Sequence, residues 1–296
     1  MENFQSDFST GARPSPFDLR TFTYVPSILD AKVKGGTRWL PEDIDHQHKI
    51  GKCTSIEDTM HAQKKFKRKF SEDFHYLLQK KFVDGDWNEG SSIFSSLKVG
   101  QKYGYLPLEE WKWTTEQDSF LSYQQWVEKL IAIPDEEIKR LITLCAPYKI
   151  KAYAKVDKNS RDAICLAIDA SDYGVACMFL VGNEWWTDVH GNITWDKNAI
   201  QPLRPPKEVV SGHAVTMTNY DGSSYRLANS WGPTWCEDGT AYSTFDRYMP
   251  REVWKVWYAD EVLPDHVQIQ LENRKKIMGQ VIDLMQQLLA LLKKKS

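Results

Sequence analysis

Hydrophobic residues recur at two different periods in the two halves of this chain, and that change limits the fold more than any other feature. Up to about Pro147 the apolar positions fall three and four residues apart, the spacing of one helix face. Ile56, Met60, Phe66, Phe70, Phe74, Leu77 and Leu78 predict one amphipathic helix from Cys53 to about Lys81. A second helix is expected over about Ser92–Tyr103 and a third over Asp135–Cys145, the latter opened by Pro134 and an acidic first turn. Beyond Pro147 the sequence alternates with the period of two that pleated strands require. Strands are expected at Ile150–Val156, Ile164–Ile168, Val175–Val181, Glu184–Val189, His213–Tyr220, Tyr225–Asn229, Thr240–Phe245 and Trp254–Tyr258. The reading is an α+β chain: an extended segment over 1–37, a helical lobe over 38–147, a β-rich lobe over 148–264 and an amphipathic helix over 265–296.

That last helix has Met278, Val281, Met285, Leu288 and Leu292 on a heptad-like spacing, with Ile277, Ile282, Leu284, Leu289 and Leu291 widening the apolar face. A stripe this broad needs cover. It docks on the chain's own body, or residues 271–292 pair with a protein partner or a second copy. Arg274, Lys275, Lys276, Lys293, Lys294 and Lys295 sit in this tail, so the net charge of −2 leaves an acidic body, which does not suit nucleic acid. Asp283, Gln286 and Gln287 interrupt the helix too soon for a membrane span.

The five cysteines are widely spaced, without a CxxC pair, which favours a reducing compartment. The first residues carry neither a basic nor an apolar signal region, so a cytoplasmic location is expected, or association with a virion. His46, His48 and Cys53 match no common zinc pattern; neither a metal nor any other cofactor is expected.

Cys53 stands where the helical periodicity begins, and the positive end of a helix dipole lowers a thiol's pKa. A nucleophilic thiol also needs a base. Ser211-Gly212-His213-Ala214 leads a strand, and sixteen residues after His213 comes Asn229, in Leu227-Ala228-Asn229-Ser230-Trp231-Gly232. A hairpin turning at Asp221-Gly222 sets both polar residues at one end, where the amide can hold one imidazole nitrogen and leave the other for the thiol.

These blocks resemble the papain-like (C1) cysteine peptidases. Gln47 precedes Cys53 by six residues in QHKIGKC, the His block reads GHAVTMTNY, and the Asn block reads ANSWGPTWCEDG. The resemblance covers about residues 38–260. It implies a two-lobe fold, helices before an antiparallel β-sheet or barrel, and a hydrolase that cleaves peptide bonds in a polypeptide substrate through a thioester. Cys53 is the implied nucleophile, His213 the base, Asn229 its orienting partner and Gln47 an oxyanion donor. Trp231 matches a tryptophan that covers the His–Asn bond. Trp87-Asn88-Glu89-Gly90 resembles a Cys-Asn-Gly-Gly element and implies that Gly90 binds substrate backbone. Ala167-Ile168-Asp169-Ala170 resembles a strand bordering a substrate pocket and implies a role there for Ala170. The usual disulfide near the nucleophile is absent, its positions being Ile50 and Trp87. The stretch Asn183–Pro206, with Trp185, Trp186 and Trp195, is long for the family and is expected either to border the cleft or to pack on the sheet lobe.

Such a chain suits a bacterial or phage protein. The same residues would serve an amidase, ligase or isopeptidase, since all share the thioester. A binding or assembly protein built around the last helix is the reading from another class.

Overall fold

In the computed structural model, residues 10–293 are described except 19–20, 29–31, 33, 189, 191–193 and 195. The helical half holds α1 (Cys53–Phe66), α2 (Glu72–Gln79), α3 (Ile93–Lys102), α4 (Tyr123–Ile131) and α5 (Asp135–Cys145). Short strand β1 (Thr23–Tyr24) precedes them, and β2 (Ile150–Val156), α6 (Arg161–Asp169), β3 (Val175–Val181), α7 (Lys197–Ile200), β4 (Ser211–Asp221), β5 (Ser224–Ala228), β6 (Thr240–Thr244), β7 (Glu252–Tyr258) and α8 (Asp265–Lys293) follow. The strands form one sheet in the order β1-β2-β7-β3-β4-β5-β6, antiparallel except for the β1–β2 pair.

Three apolar clusters show how the lobes meet. One lies within the helices, around Leu77, Leu78, Trp126, Leu130 and Leu141. A second fills the sheet side, with Val215, Leu227, Trp185, Trp231 and Trp235. The third joins the two, because α1 packs on β4, sets Cys53 against Ala214 and places both in one cluster with Met178 and Trp254. The site sits in this seam.

Three sequence expectations differ from the structure. The single helix expected from Cys53 to Lys81 is two helices: Lys67 takes the left-handed conformation, φ 54°, and ends α1, while the Ser71 side chain accepts from Phe74 N and opens α2. Ile164–Ile168 is helix α6 rather than a strand, capped by Ser160, because its apolar residues cover one helix face. A four- or five-residue apolar run does not separate the two states by period. Glu184 lies in a 3₁₀ turn, Asn183–Trp185, and Val189 falls outside the described residues.

Val267 is buried and Leu271 packs on the sheet-side cluster, but from Ile277 onward the large side chains of α8 are exposed, apart from half-buried Met278. No helix among the described residues is long and apolar enough to cross a membrane.

Candidate active site

Cys53 is the first residue of α1, so its sulfur faces the free N–H groups of a helix start. The preceding loop is held without a disulfide; all five cysteines are free thiols. Instead, Lys52 is buried with its Nζ 2.5 Å from Asp73 and 3.4 Å from Glu72, and Gly51 N donates to Glu89 Oε1 at 2.7 Å. Ile50 is buried in the helical cluster and Trp87 packs against the same cluster, so apolar contact stands where a cystine is absent.

His213 lies on β4, opposite Phe179 of β3. Its Nε2 is 2.7 Å from Asn229 Oδ1, and its Nδ1 is buried without a hydrogen-bond partner. With Nε2 donating to the amide, Nδ1 is the free nitrogen. Trp231 stacks on the imidazole with ring centroids 4.7 Å apart, and Trp185 meets it edge-on at 6.0 Å. Gln47 is equally fixed: its N donates to Ser230 O, its Oε1 accepts from Ser230 Oγ, and its Nε2 lies 3.2 Å from Ile50 O. The Asn block thus anchors Gln47 and the His213 ring together.

Burial sets the protonation here. It pushes the Cys53 thiol up to about 12, against backbone N–H groups of Ala214, Thr54 and Cys53 that favour the thiolate. It pushes His213 down to about 4, against the hydrogen bond to Asn229. Both groups are neutral at pH 7 in this state.

The cover responsible comes from the start of the chain. Residues Thr10–Arg13 run between the lobes as a strap. Gly11 N and Ala12 N both donate to Gly212 O, at 3.1 and 3.0 Å, beside His213. On the other wall Ser91 N donates to Gly11 O at 2.9 Å, and Arg13 N donates to Ser91 O at 2.6 Å, giving a parallel bridge between Ala12 and Ser91. Ala12 packs in the cluster that contains Cys53, Met178 and Ala214. The approach leaves no room for side chains: a Cβ on Gly90 would sit 2.2 Å from Gly11 O, and one on Gly212 2.2 Å from Ala12 O.

Gly90 therefore borders the groove, but Tyr76 OH accepts from its N–H and Lys80 Nζ donates to its C=O, so the outward hydrogen bonds come from Ser91. Ala170 caps the end of α6, and its N–H donates back to Leu166 O. The strand reading behind its expected role does not hold, and β3, through Met178, is the strand that reaches the strap. Trp185 and Trp186 are buried against Trp231, so this part of the long stretch packs on the sheet lobe; Trp195 lies outside the described residues. Gly212 lay inside the recognised His block without a role assigned to it, and Ser91 and Met178 carried no sequence signal of their own.

No protein-family model and no curated protein sequence matches the chain. Among solved structures the chain resembles xylellain, a cysteine protease from Xylella fastidiosa, at 21% identity over 85% of this chain and 96% of that one, with a TM-score of 0.65. It also resembles the proform of the ragweed pollen cysteine protease Amb a 11, at 16% identity over 78% and 68% of the two chains and a TM-score of 0.53. Digestive procathepsin L 3 of Tenebrio molitor matches at 13% identity over 83% and 75%, with a TM-score of 0.52. The fold is papain-like.

Proposed function

We propose that the chain is a cysteine endopeptidase held in a closed state by its own strap. The observation that carries this is the His213–Asn229 pair, with Nδ1 left free, on the strand whose next residue, Ala214, meets Cys53. Once the strap leaves the groove, water and substrate reach both groups, and the desolvation that keeps them neutral falls away. The Cys53 proton then passes to His213 Nδ1. The thiolate attacks a peptide carbonyl, and the Cys53 N–H and the Gln47 side-chain amide stabilise the oxyanion; such a donor is worth roughly 10²–10³ in rate. His213 gives the proton to the leaving amine and later takes one from the water that hydrolyses the thioester. Asn229 keeps the imidazolium oriented, and Trp231 shields their bond.

The test is hydrolysis by the full chain with its strap loosened, using a peptide library alongside isopeptide and simple amide substrates, with Cys53→Ala as control. Cleavage of peptide bonds, lost in the control, is expected. Turnover confined to isopeptides or simple amides would mean a different acyl-transfer enzyme, and no turnover of any would favour the assembly reading.

The exposed face of α8 supports a second part of the proposal, self-association through residues 277–292. Apolar residues flank the heptad seam on both sides, and more than one further helix is needed to cover them. Sedimentation of the chain with and without residues 277–296 should show an assembly that reverts to monomer, and a monomer in both would exclude it.

A further inference from the structure

The strap does more than fill space, because Arg13 meets an acceptor built before it arrives. Its Nη2 lies 2.9 Å from Asp84 Oδ2 and its Nη1 3.1 Å from Asp86 Oδ2. Both carboxylates follow α2 and are fixed from beneath by Lys80, whose Nζ is fully buried at 3.0 Å from each and 2.9 Å from Gly90 O. Asn88 N also donates to Asp86 Oδ1, at 2.9 Å. Lys80 cannot leave without stranding a charge in the core, whereas the Arg13 side chain is 37% exposed and belongs to a segment that must move for the groove to open. Among the groups in direct contact, two carboxylates against the one ammonium of Lys80 leave one negative charge, which the guanidinium balances; Lys98 lines the cavity further out.

The backbone fixes which residue of an extended chain meets these acids. Ser91 bonds the residues on either side of Ala12, so the side chain one position after Ala12 points at Asp84 and Asp86. Beyond Arg13 an open cavity of about 280 Å³ continues past Ser92, Ser95 and Lys98, with room for a longer occupant. We infer that Asp84 and Asp86 form a subsite of the peptide groove for a basic side chain, with Arg13 as its internal occupant. Resting on the peptidase reading, it gives the substrate class: extended polypeptides with arginine, or less well lysine, at this position. Arginine is preferred because its planar fork gives each carboxylate its own N–H group, Nη2 to Asp84 and Nη1 to Asp86, whereas an ammonium at the end of a flexible lysine stem has no such fork.

The test uses the full chain carrying Gly11→Val, to loosen the strap, and Cys53→Ser, to prevent turnover. A fluorescent peptide of residues 10–16 is titrated by anisotropy, followed by versions with Gln, Lys or Glu in place of the arginine. Binding should weaken about tenfold or more from Arg to Gln, with Lys between them and Glu weakest. Asp86→Asn keeps Asp84 as partner for Lys80, so the fold persists, as a thermal midpoint will check, and the Arg-to-Gln ratio should shrink. Equal binding of the Arg and Gln peptides, no binding of the Arg peptide, or a ratio unmoved by Asp86→Asn would each overturn the subsite. None of these bears on Cys53 chemistry. If the peptidase reading fails instead, electrophiles leave Cys53 unlabelled in the strap-loosened chain while the Arg preference persists.

Discussion

Replacing Gly11 by valine should open the groove by an amount the structure allows to be worked out. A Cβ at this position would lie 2.7 Å from Gly51 O and 3.0 Å from the Gly90 Cα, both backbone atoms that cannot turn aside. Overpacking of this kind costs about 1–3 kcal/mol, and it falls on the strap because the walls are anchored by Lys52, Glu89 and Lys80. Since about 1.4 kcal/mol is tenfold in an equilibrium, the open population should rise roughly five- to hundredfold. The assay is the rate of Cys53 alkylation by iodoacetamide, which tracks that population when the strap recloses faster than the reagent reacts. Hydrogen exchange at residues 10–13 reports strap release independently. Lost protection together with an unchanged alkylation rate would refute the idea that the strap covers the nucleophile.

Further consequences follow from the same contacts. His213 is held neutral, its pKa moved from 6.5 to about 4, so the open chain binds the proton first. In the Cys53→Ala chain, where no thiol can supply the proton of the open-state imidazole, the stability this gives is complete above about pH 6.5 and is lost as pH falls through 4, about 3 kcal/mol in all, so strap amides of that variant should exchange faster at pH 5 than at 7.5 after correction for intrinsic rates. At Asp86, burial favours the neutral acid but is outweighed by hydrogen bonds from Lys80 and Arg13, which hold the carboxyl below its usual range; losing that anchor in stronger acid acts in the same direction. Lys52→Met leaves Asp73 buried without its ammonium and should cost about 3–5 kcal/mol in urea unfolding; a loss under 1 would mean the pair is not what holds the loop. Asn229→Ala frees the His213 ring and should lower kcat of the opened enzyme by about 10²-fold or more with little change in KM; an unchanged kcat would remove Asn229 from the mechanism.

The strands were legible because alternation is local and exact in period: β2 and β3 begin and end where the sequence predicts. The approach of Asn229 to His213 was legible because β4 and β5 form one hairpin that ends beside both residues, although a bulge between Met217 and Asn219 shifts its register. Cys53 by itself was not; its neighbours on β4 come from the other half of the chain. The break between α1 and α2 escaped because the apolar spacing continues through Lys67, whose left-handed turn lets Phe70 bridge to Pro107. The extended character of the first residues was legible, but the path of the strap through the groove was not. Gly11, Ala12 and Arg13 have no periodicity, and their bonds go to Gly212, Ser91, Asp84 and Asp86, partners that only the folded chain assembles. Met178 was hidden likewise, because the segment resembling a pocket-lining strand, Ala167–Ala170, folded as the end of α6.

The central claim is that one thiol, paired with His213 and covered by the strap, is the nucleophile. It is tested most directly by treating the Gly11→Val chain with an epoxide that alkylates thiolates and locating the adduct by peptide mass mapping. Cys53 should carry the label alone, well ahead of Cys145, Cys165, Cys177 and Cys236, and His213→Ala should abolish it. Equal labelling of all five thiols, or labelling of Cys53 that survives His213→Ala, would contradict the claim.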